Sequence, residues 1–335
     1  MKRIDLKDIG LCERFINEAV LYKDLYTGRV SSQHKDLYTV ITEEGEILAK
    51  VSGKLRNSAK NLYEFPATGD FVMLDRINND EGNAIIHHIL TRKSAFERKT
   101  SGTANETQVV ASNIDTVFIC MSLNNDFNLR RLERYLSIAW DSRAIPVVVL
   151  TKSDLCENLE DKLSGVSSVA IGVDVLVTTS TSKEGYIPIK KYIRSGSTIA
   201  FIGSSGVGKS TLINMILGFE KLDTKEIRKD DKGRHATTSR RLIILPEGGV
   251  VIDTPGMREI GIESANLSKS FKDIDEIATA CKFRDCTHET EPGCAVRKAI
   301  DEGLLQEERL TSYKKLKKEA KYEGMGFKQI EKEKI

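Results

Sequence analysis

No apolar run in the 335 residues approaches the roughly 20 needed to cross a bilayer as a helix, so no membrane role is expected. The opening Met1-Lys2-Arg3-Ile4-Asp5 leads into mixed charged sequence rather than an apolar signal core, which gives the expectation of a cytoplasmic protein. Charge of one sign is missing too. Lys and Arg number 51 against 49 Asp and Glu, a net +2, which excludes a chain basic throughout and leaves only local patches to meet a polyanion. Cysteine is sparse. Cys12, Cys120 and Cys156 are scattered beside apolar residues, while Cys281, Cys286 and Cys294 cluster near one histidine, a distribution poor for disulfides and good for a metal. Charged residues at 30% and hydrophobic ones at 40% fit an ordinary globular chain, and the length suggests two or three domains.

The most informative stretch is Gly203-Ser204-Ser205-Gly206-Val207-Gly208-Lys209-Ser210, followed by Thr211. It fits the pattern G-x-x-x-x-G-K-[ST] and has an apolar strand-like run, 198–202, before it and a helix-like run, 211–217, after it. In such a loop the backbone N–H groups close around phosphate oxygens, Lys209 reaches the terminal phosphates and the Ser210 hydroxyl ligates Mg²⁺. The start of the following helix favours the same negative charge.

The first hundred residues read as β-rich. Strand-like runs at 37–42, 46–51, 71–74 and 84–89 are separated by turn signals such as Glu43-Glu44-Gly45 and Thr68-Gly69-Asp70. A small barrel follows, with the five-stranded OB-fold as the leading candidate. Basic residues (Arg29, Lys35, Lys50, Lys54, Arg56, Lys60, Arg92, Lys93, Arg98, Lys99) interleave with Tyr26, Tyr38, Tyr63 and Phe65. That pattern fits an RNA platform, and equally a solvated barrel surface over core aromatics. Thr103 to Ser112 reads as a polar linker. Buried strands at 115–121 and 146–150 with an amphipathic helix at 129–136 between them then indicate a parallel sheet covered on both faces, so a second domain begins near 113.

Directly after the second of those strands stands Thr151-Lys152-Ser153-Asp154, similar to the guanine-specifying N-K-x-D motif of GTPases. Asp154 accepts from the guanine ring N–H and exocyclic amine, donors that adenine lacks on that edge. Thr151 replaces the usual Asn, and its hydroxyl keeps one hydrogen bond to give. The strand at 174–177 ends in Thr178-Thr179-Ser180-Thr181, which looks like the loop whose backbone N–H contacts the guanine oxygen, at Ser180 and Thr181.

After the phosphate loop, Thr224 to Arg241 is long and polar and holds Gly233-Arg234-His235-Ala236-Thr237-Thr238-Ser239. It reads either as a first switch, with a Thr that closes on Mg²⁺, or as a plain solvated loop. The strand at 249–252 leads into Asp253-Thr254-Pro255-Gly256, a D-x-P-G in which Asp253 holds the Mg²⁺ shell and the Gly256 N–H senses the γ-phosphate. Met257 follows where many GTPases keep a water-orienting Gln. A thioether cannot direct a water, so His235 becomes the candidate catalytic residue beside Lys209. The guanine motifs precede the phosphate motifs, the reverse of the usual order. A circular shuffle of the chain accounts for that, because the termini of a compact domain often lie close together.

Cys281, Cys286, His288 and Cys294 form C-x4-C-x-H-x5-C. Three thiolates and an imidazole complete a closed tetrahedral Zn²⁺ shell with no position open to substrate, a structural site. The basic stretch from Tyr313 reads as a helix that meets RNA phosphates or merely solvent.

Together these pieces resemble the RsgA (YjeQ/YloQ) family of circularly permuted GTPases over nearly the whole chain. The resemblance implies a multidomain α/β protein: an N-terminal OB-fold barrel over 1–100, a circularly permuted P-loop GTPase domain over 101–265, and a mostly helical zinc-binding domain over 266–335. It implies GTP hydrolysis stimulated by the small ribosomal subunit, contact with that subunit's rRNA, a role in its late maturation, and a monomeric protein that carries one Zn²⁺ and uses Mg²⁺ with GTP. The family's switch pattern falls on Gly233, His235, Thr237 and Thr238 and supports His235 as the water-positioning residue. Ser210, Thr238 and Asp253 are the expected Mg²⁺ ligands, with Thr237 as the alternative to Thr238, since Ala236 stands where a Thr is common. The other reading is a nucleotide-gated RNA-binding scaffold without significant catalysis; Asp154 disfavours an ATPase.

Overall fold

The computed structural model describes residues 3–78, 80, 82–99, 107–182, 185–218, 241–253 and 271–322. Its described residues fall into two compact units, one within Met1–Phe127, Ser142–Leu159 and Val173–Gly261, the other within Asn128–Asp141, Glu160–Gly172 and Ile262–Ile335.

In the first unit, helix α1 (Glu13–Ala19) leads into five strands, β1 (Tyr26–His34), β2 (Leu37–Thr42), β3 (Gly45–Val51), β4 (Phe71–Leu74) and β5 (Ala84–Ile89), with helix α2 (Gly53–Ser58) after the third. The lateral order is β1-β2-β3-β5-β4, and β4 pairs back onto β1, so the sheet closes as an OB-type barrel. Lys35 and Gly45 take positive φ of 54° and 134° in the turns on either side of β2. Alternation fills the interior with Val30, Tyr38, Val40, Ile47, Ala49, Val72, Leu74 and Ile86. Phe15 of α1 packs on Phe71 with ring centroids 4.6 Å apart, and Ser52 caps α2 by accepting from the Leu55 N–H at 3.1 Å.

β1 escapes the sequence reading because a charged residue lies buried at its centre, on the face turned away from the barrel interior that its neighbour Val30 fills. Arg29 is fully buried. Its Nε donates to the Gly69 carbonyl at 3.1 Å, Nη2 to Thr198 Oγ1 at 2.9 Å and Nη1 to the Ile9 carbonyl, with the guanidinium over the Phe71 ring at 4.9 Å. Burial pushes its pKa down to about 10, against the pull of Asp115 and Asp70, so it stays charged. Arg92 is likewise no surface cation: it forks onto Asp70 at 2.8 and 2.7 Å. Tyr38 lies in the barrel core, whereas Tyr26, Lys35, Lys50, Lys54, Arg56 and Lys60 are exposed.

β6 (Ala95–Lys99) and β7 (Thr107–Ser112) form an antiparallel pair, so the end of the expected linker is a strand, held from Ala95↔Ser112 to Lys99↔Thr107. Strands β8 (Thr116–Ser122), β9 (Ile145–Thr151), β10 (Asp174–Val177), β11 (Thr198–Ile202), β12 (Arg241–Ile244) and β13 (Val250–Asp253) continue the chain, with helices α3 (Leu129–Asp141), α4 (Leu159–Val169), α5 (Ile187–Lys190) and α6 (Lys209–Leu217). The order β10-β9-β8-β11-β13-β12 is parallel except for β12. Every residue of β8 and β11 is buried, as a sheet covered on both faces requires. At its far edge β12 pairs with β1 of the barrel, Ser32↔Arg241, which joins barrel and sheet in one lateral order of 11 strands.

The second unit adds α7 (Lys272–Ala278), α8 (Ala295–Asp301) and α9 (Glu307–Tyr322) to α3 and most of α4. Arg309 of α9 is its hub. It pairs with Glu133 at 2.9 Å and forks onto Asp273 at 2.6 and 2.8 Å, while its guanidinium lies over the Phe271 ring. Among the described residues no helix is long and apolar enough to cross a membrane.

Candidate functional site: a phosphate loop, a guanine loop and a Cys3His cluster

β11 delivers the chain into Gly203 at φ 143°, and Gly206 and Gly208 follow at 74° and 98°. A Cβ on Gly203 would stand 2.4 Å from the Cys120 carbonyl, so the loop turns against β8 only with glycine there. Gly208 precedes α6 with no side chain capping the helix, which leaves the first N–H groups directed at the loop. Lys209 Nζ donates to the carbonyls of Gly203 at 2.8 Å and Ser204 at 2.6 Å. The ammonium thereby sits across the loop that its own helix begins. Ser210 and Thr211 follow, half-buried, in the first turn.

β9 ends at the buried Thr151, whose hydroxyl donates to the Val207 carbonyl at 2.6 Å. Lys152 then takes positive φ, 57°, and turns the chain into Asp154. Thr179 Oγ1 donates to Asp154 Oδ1 at 2.5 Å and accepts from the Thr181 N–H at 3.2 Å, with Thr181 Oγ1 at 2.8 Å. Ser180 and Thr181 are exposed. Gly185 closes this loop: its carbonyl accepts from the Thr179 N–H, and a Cβ there would lie 2.1 Å from the Thr179 carbonyl.

Asp253, half-buried at the end of β13, is paired with Arg241 across to β12. His235, Thr237, Thr238 and Gly256, with Gly233, Ala236 and Met257, lie outside the described residues.

In the second unit Cys281, Cys286, His288 and Cys294 place their ligand atoms within 4.8 Å of one another. Cys281 Sγ is 3.7 Å from His288 Nδ1 and 4.0 Å from Cys294 Sγ, and Cys294 Sγ is 3.5 Å from His288 Nδ1. A tetrahedral ion with bonds near 2.3 Å sets its ligands about 3.8 Å apart, so the cluster fits a closed four-coordinate metal site. The loop is braced from outside. Arg297 Nε and Lys314 Nζ each donate to the His288 carbonyl at 3.0 Å. Glu291 accepts from Thr287 Oγ1 at 2.5 Å and from the N–H groups of Thr287, Glu289 and Thr290, bonds that pull its carboxyl down to about 2.

Residues 89–263 match the model of the RsgA GTPase family. A Lactiplantibacillus plantarum protein named small ribosomal subunit biogenesis GTPase RsgA 2 is 52% identical over 311 residues, covering 92% of this chain and 87% of that one. The chain belongs to the RsgA GTPase family. A Methanosarcina acetivorans protein named small ribosomal subunit biogenesis GTPase RsgA is 43% identical over 321 residues, with 93% and 85% covered. Among solved structures, YjeQ from Thermotoga maritima matches with TM-score 0.64 at 27% identity, over 88% of this chain and 98% of that one. YloQ, a circularly permuted GTPase, matches at 0.63 with 24% identity over 89% and 95%, a likeness of fold.

The fold brings Thr151, Lys152, Asp154, Ser180, Thr181 and the whole loop from Gly203 to Thr211 onto the strand ends of one sheet. Sequence reasoning did not single out Asp126, which accepts from Ser204 Oγ at 2.5 Å, nor the bond of Thr179 to Asp154. Glu291 was also missed. Each is found only by contact: Asp126 lies 78 positions from its partner, and Thr179 looks like any threonine in a Ser/Thr-rich loop.

Proposed function

We propose that this chain is a GTP-hydrolysing enzyme that binds the small ribosomal subunit through its rRNA and assists a late step of that subunit's maturation. The observation that carries the nucleotide assignment is the pair of bonds Thr151–Val207 and Thr179–Asp154, which hold a carboxylate suited to guanine and a loop suited to phosphates in one frame. The ribosomal assignment follows from relatives whose printed name is small ribosomal subunit biogenesis GTPase. Exposed Lys35, Lys50, Lys54, Lys60 and Tyr26 on the barrel are suited to an RNA backbone and its bases.

In this reading Asp154 accepts from the guanine ring N–H and amine, the N–H groups at Ser180 and Thr181 meet the guanine oxygen, and the backbone from Gly203 to Ser210 wraps the phosphates. Lys209 leaves the carbonyls of Gly203 and Ser204 for the terminal phosphates. Ser210, Asp253 and Thr238, or Thr237 in its place, would hold Mg²⁺, which when bound offsets charge on the phosphates. The Gly256 N–H reads the γ-phosphate, and His235 orients the attacking water. The subunit's RNA brings His235 into line and thereby raises turnover; the GDP form lets go.

The cluster of Cys281, Cys286, His288 and Cys294 would hold one structural Zn²⁺. Three functional regions follow: the RNA-binding barrel over 1–100, the GTPase domain over 101–265 and the zinc domain over 266–335. The protein works as a cytoplasmic monomer with GTP and GDP as its small ligands. The test is GTP hydrolysis with and without small ribosomal subunits, with ATP as control. Stimulated, GTP-selective turnover is expected. ATP turnover equal to GTP turnover would overturn the guanine assignment, and turnover indifferent to subunits would overturn the ribosomal one.

A further inference from the structure

A groove of about 280 Å³ opens where the barrel meets the nucleotide-binding sheet, with walls from β1, β2, β3 and the first residue of β12. Its floor is a row of paired residues. Ser32 is opposite Arg241 on one side and Thr39 on the other, and residues directly opposite project to the same face. Ser32 Oγ donates to Thr39 Oγ1 at 3.1 Å. Arg241 is exposed, and among the described residues no side chain hydrogen-bonds or pairs with its guanidinium. A guanidinium with no such partner among the described residues, beside a wall of hydroxyls, is suited to a phosphate, whose oxygens match its fork of N–H donors. Exposed His34, at the end of β1, adds a second nitrogen at the rim. Glu46, on the β3 wall, is the acid of the groove. It disfavours a second phosphate and is matched instead to a hydroxyl donor, which in a nucleic acid is the ribose 2′-OH.

The same row continues into the catalytic half. Arg241 is also paired with Asp253 of β13, the residue assigned to Mg²⁺ above. One residue therefore stands between a barrel strand and the end of the strand that carries Asp253.

We propose that this groove binds one ribose-phosphate unit of RNA, with Arg241 on the phosphate and Glu46 on the 2′-hydroxyl, and that its occupancy reaches Asp253 through the β1–β12–β13 pairing. The inference rests on the reading that RNA of the small subunit is the partner, and it names where that RNA is felt by the nucleotide site.

The test uses the full chain loaded with a non-hydrolysable GTP analogue and two probes: small ribosomal subunits, and a labelled uridine 20-mer with its deoxy counterpart. GDP affinity of each variant reports folding. Arg241→Gln is expected to weaken binding of both RNA probes about tenfold and to lower the slope of log affinity against log salt by about one, while Arg241→Lys keeps the slope. Glu46→Gln should cut the preference for the RNA 20-mer over the DNA one by about threefold. With GTP in place of the analogue and subunits at saturation, Arg241→Gln should lower the stimulated rate at least threefold relative to its own unstimulated rate. If Arg241→Gln fails to fold, His34→Glu, outside the β12 pairing, reads the same groove and should weaken both RNA probes. Wild-type affinity and salt slope in Arg241→Gln or His34→Glu overturn the groove and leave the ribosomal reading intact. Arg241-dependent binding of the 20-mer without binding of subunits supports the groove and overturns the ribosomal reading instead.

Discussion

Thr151 donates its hydroxyl to the Val207 carbonyl at 2.6 Å, which ties the end of β9 to the middle of the glycine-rich loop before α6. The proton of that hydroxyl is committed to the backbone and is not offered to a base, so the residue standing for Asn acts by holding two loops together. Thr151→Val leaves a buried carbonyl without its donor, a loss of about 1.4 kcal/mol or tenfold. The expected result is weaker binding of GTP and GDP by that factor with guanine-over-adenine selectivity unchanged, and recovery in Thr151→Ser. Nucleotide titration checks it; a selective loss of guanine preference would show that Thr151 reads the base.

Gly185→Ala places a methyl 2.1 Å from the Thr179 carbonyl, a distance no packing tolerates. The loop must shift, and Thr179 with it, away from Asp154. Guanine-nucleotide affinity is expected to fall by about 1–3 kcal/mol with little change in melting temperature. Unaltered GDP binding would mean that Thr179 does not set the position of the carboxylate.

Arg309→Ala strips two carboxylates of their cation, and Glu133 is buried on α3, with its carboxyl pushed up by that burial. Breaking a buried pair from one side costs about 3–5 kcal/mol, whereas removing both ends for apolar residues is far milder. Denaturant unfolding should therefore rank Arg309→Ala below the double variant Glu133→Leu, Arg309→Met. The reverse ranking would mean that the charges themselves, and not their balance, hold α9 to α3.

Metal analysis of the purified protein is expected to find one zinc per chain. Cys286→Ser should drop the content to background and chelation should expose thiols at Cys281 and Cys294. Both treatments should lower the thermal stability of the Cys3His segment, since a closed site of this kind is part of the fold. Retention of that stability in a metal-free sample would remove the structural role.

His235→Ala should reduce subunit-stimulated hydrolysis by about 10²–10⁴-fold, the span of a positioned acid or base, while GDP binds as before. Lys209→Ala should abolish turnover. Normal stimulated rates in the first, or any retained rate in the second, would reassign the chemistry.

The sites legible in the sequence are those whose chemistry is local. Gly203, Gly206 and Gly208 announce a loop by needing positive φ, and Cys281 through Cys294 announce a cluster because three cysteines and a histidine fall within one short segment. The barrel was legible in four of its five strands as short strand-like runs set off by turn signals. β1 was not, because Arg29 occupies a buried position on its outer face where a pattern search expects either an apolar residue or an exposed charge. Its partners, Ile9, Gly69 and Thr198, come from three separate parts of the chain, and no spacing rule reaches across them. Arg92 was misplaced for the same reason: Asp70, which takes it into the interior, is a turn residue by sequence. β7 was hidden by the polar sequence that precedes it and declares itself through pairing with β6.

Arg29 also bears on how freely the parts of this protein can be exchanged. A barrel borrowed from another protein would arrive at the nucleotide-binding sheet without the one cation that Thr198, at the root of the phosphate-loop strand, helps to satisfy. A borrowed sheet would leave that cation short of an acceptor. The two folds are separate architectures, yet they share one buried charge, so they can be inherited together far more readily than they can be shuffled.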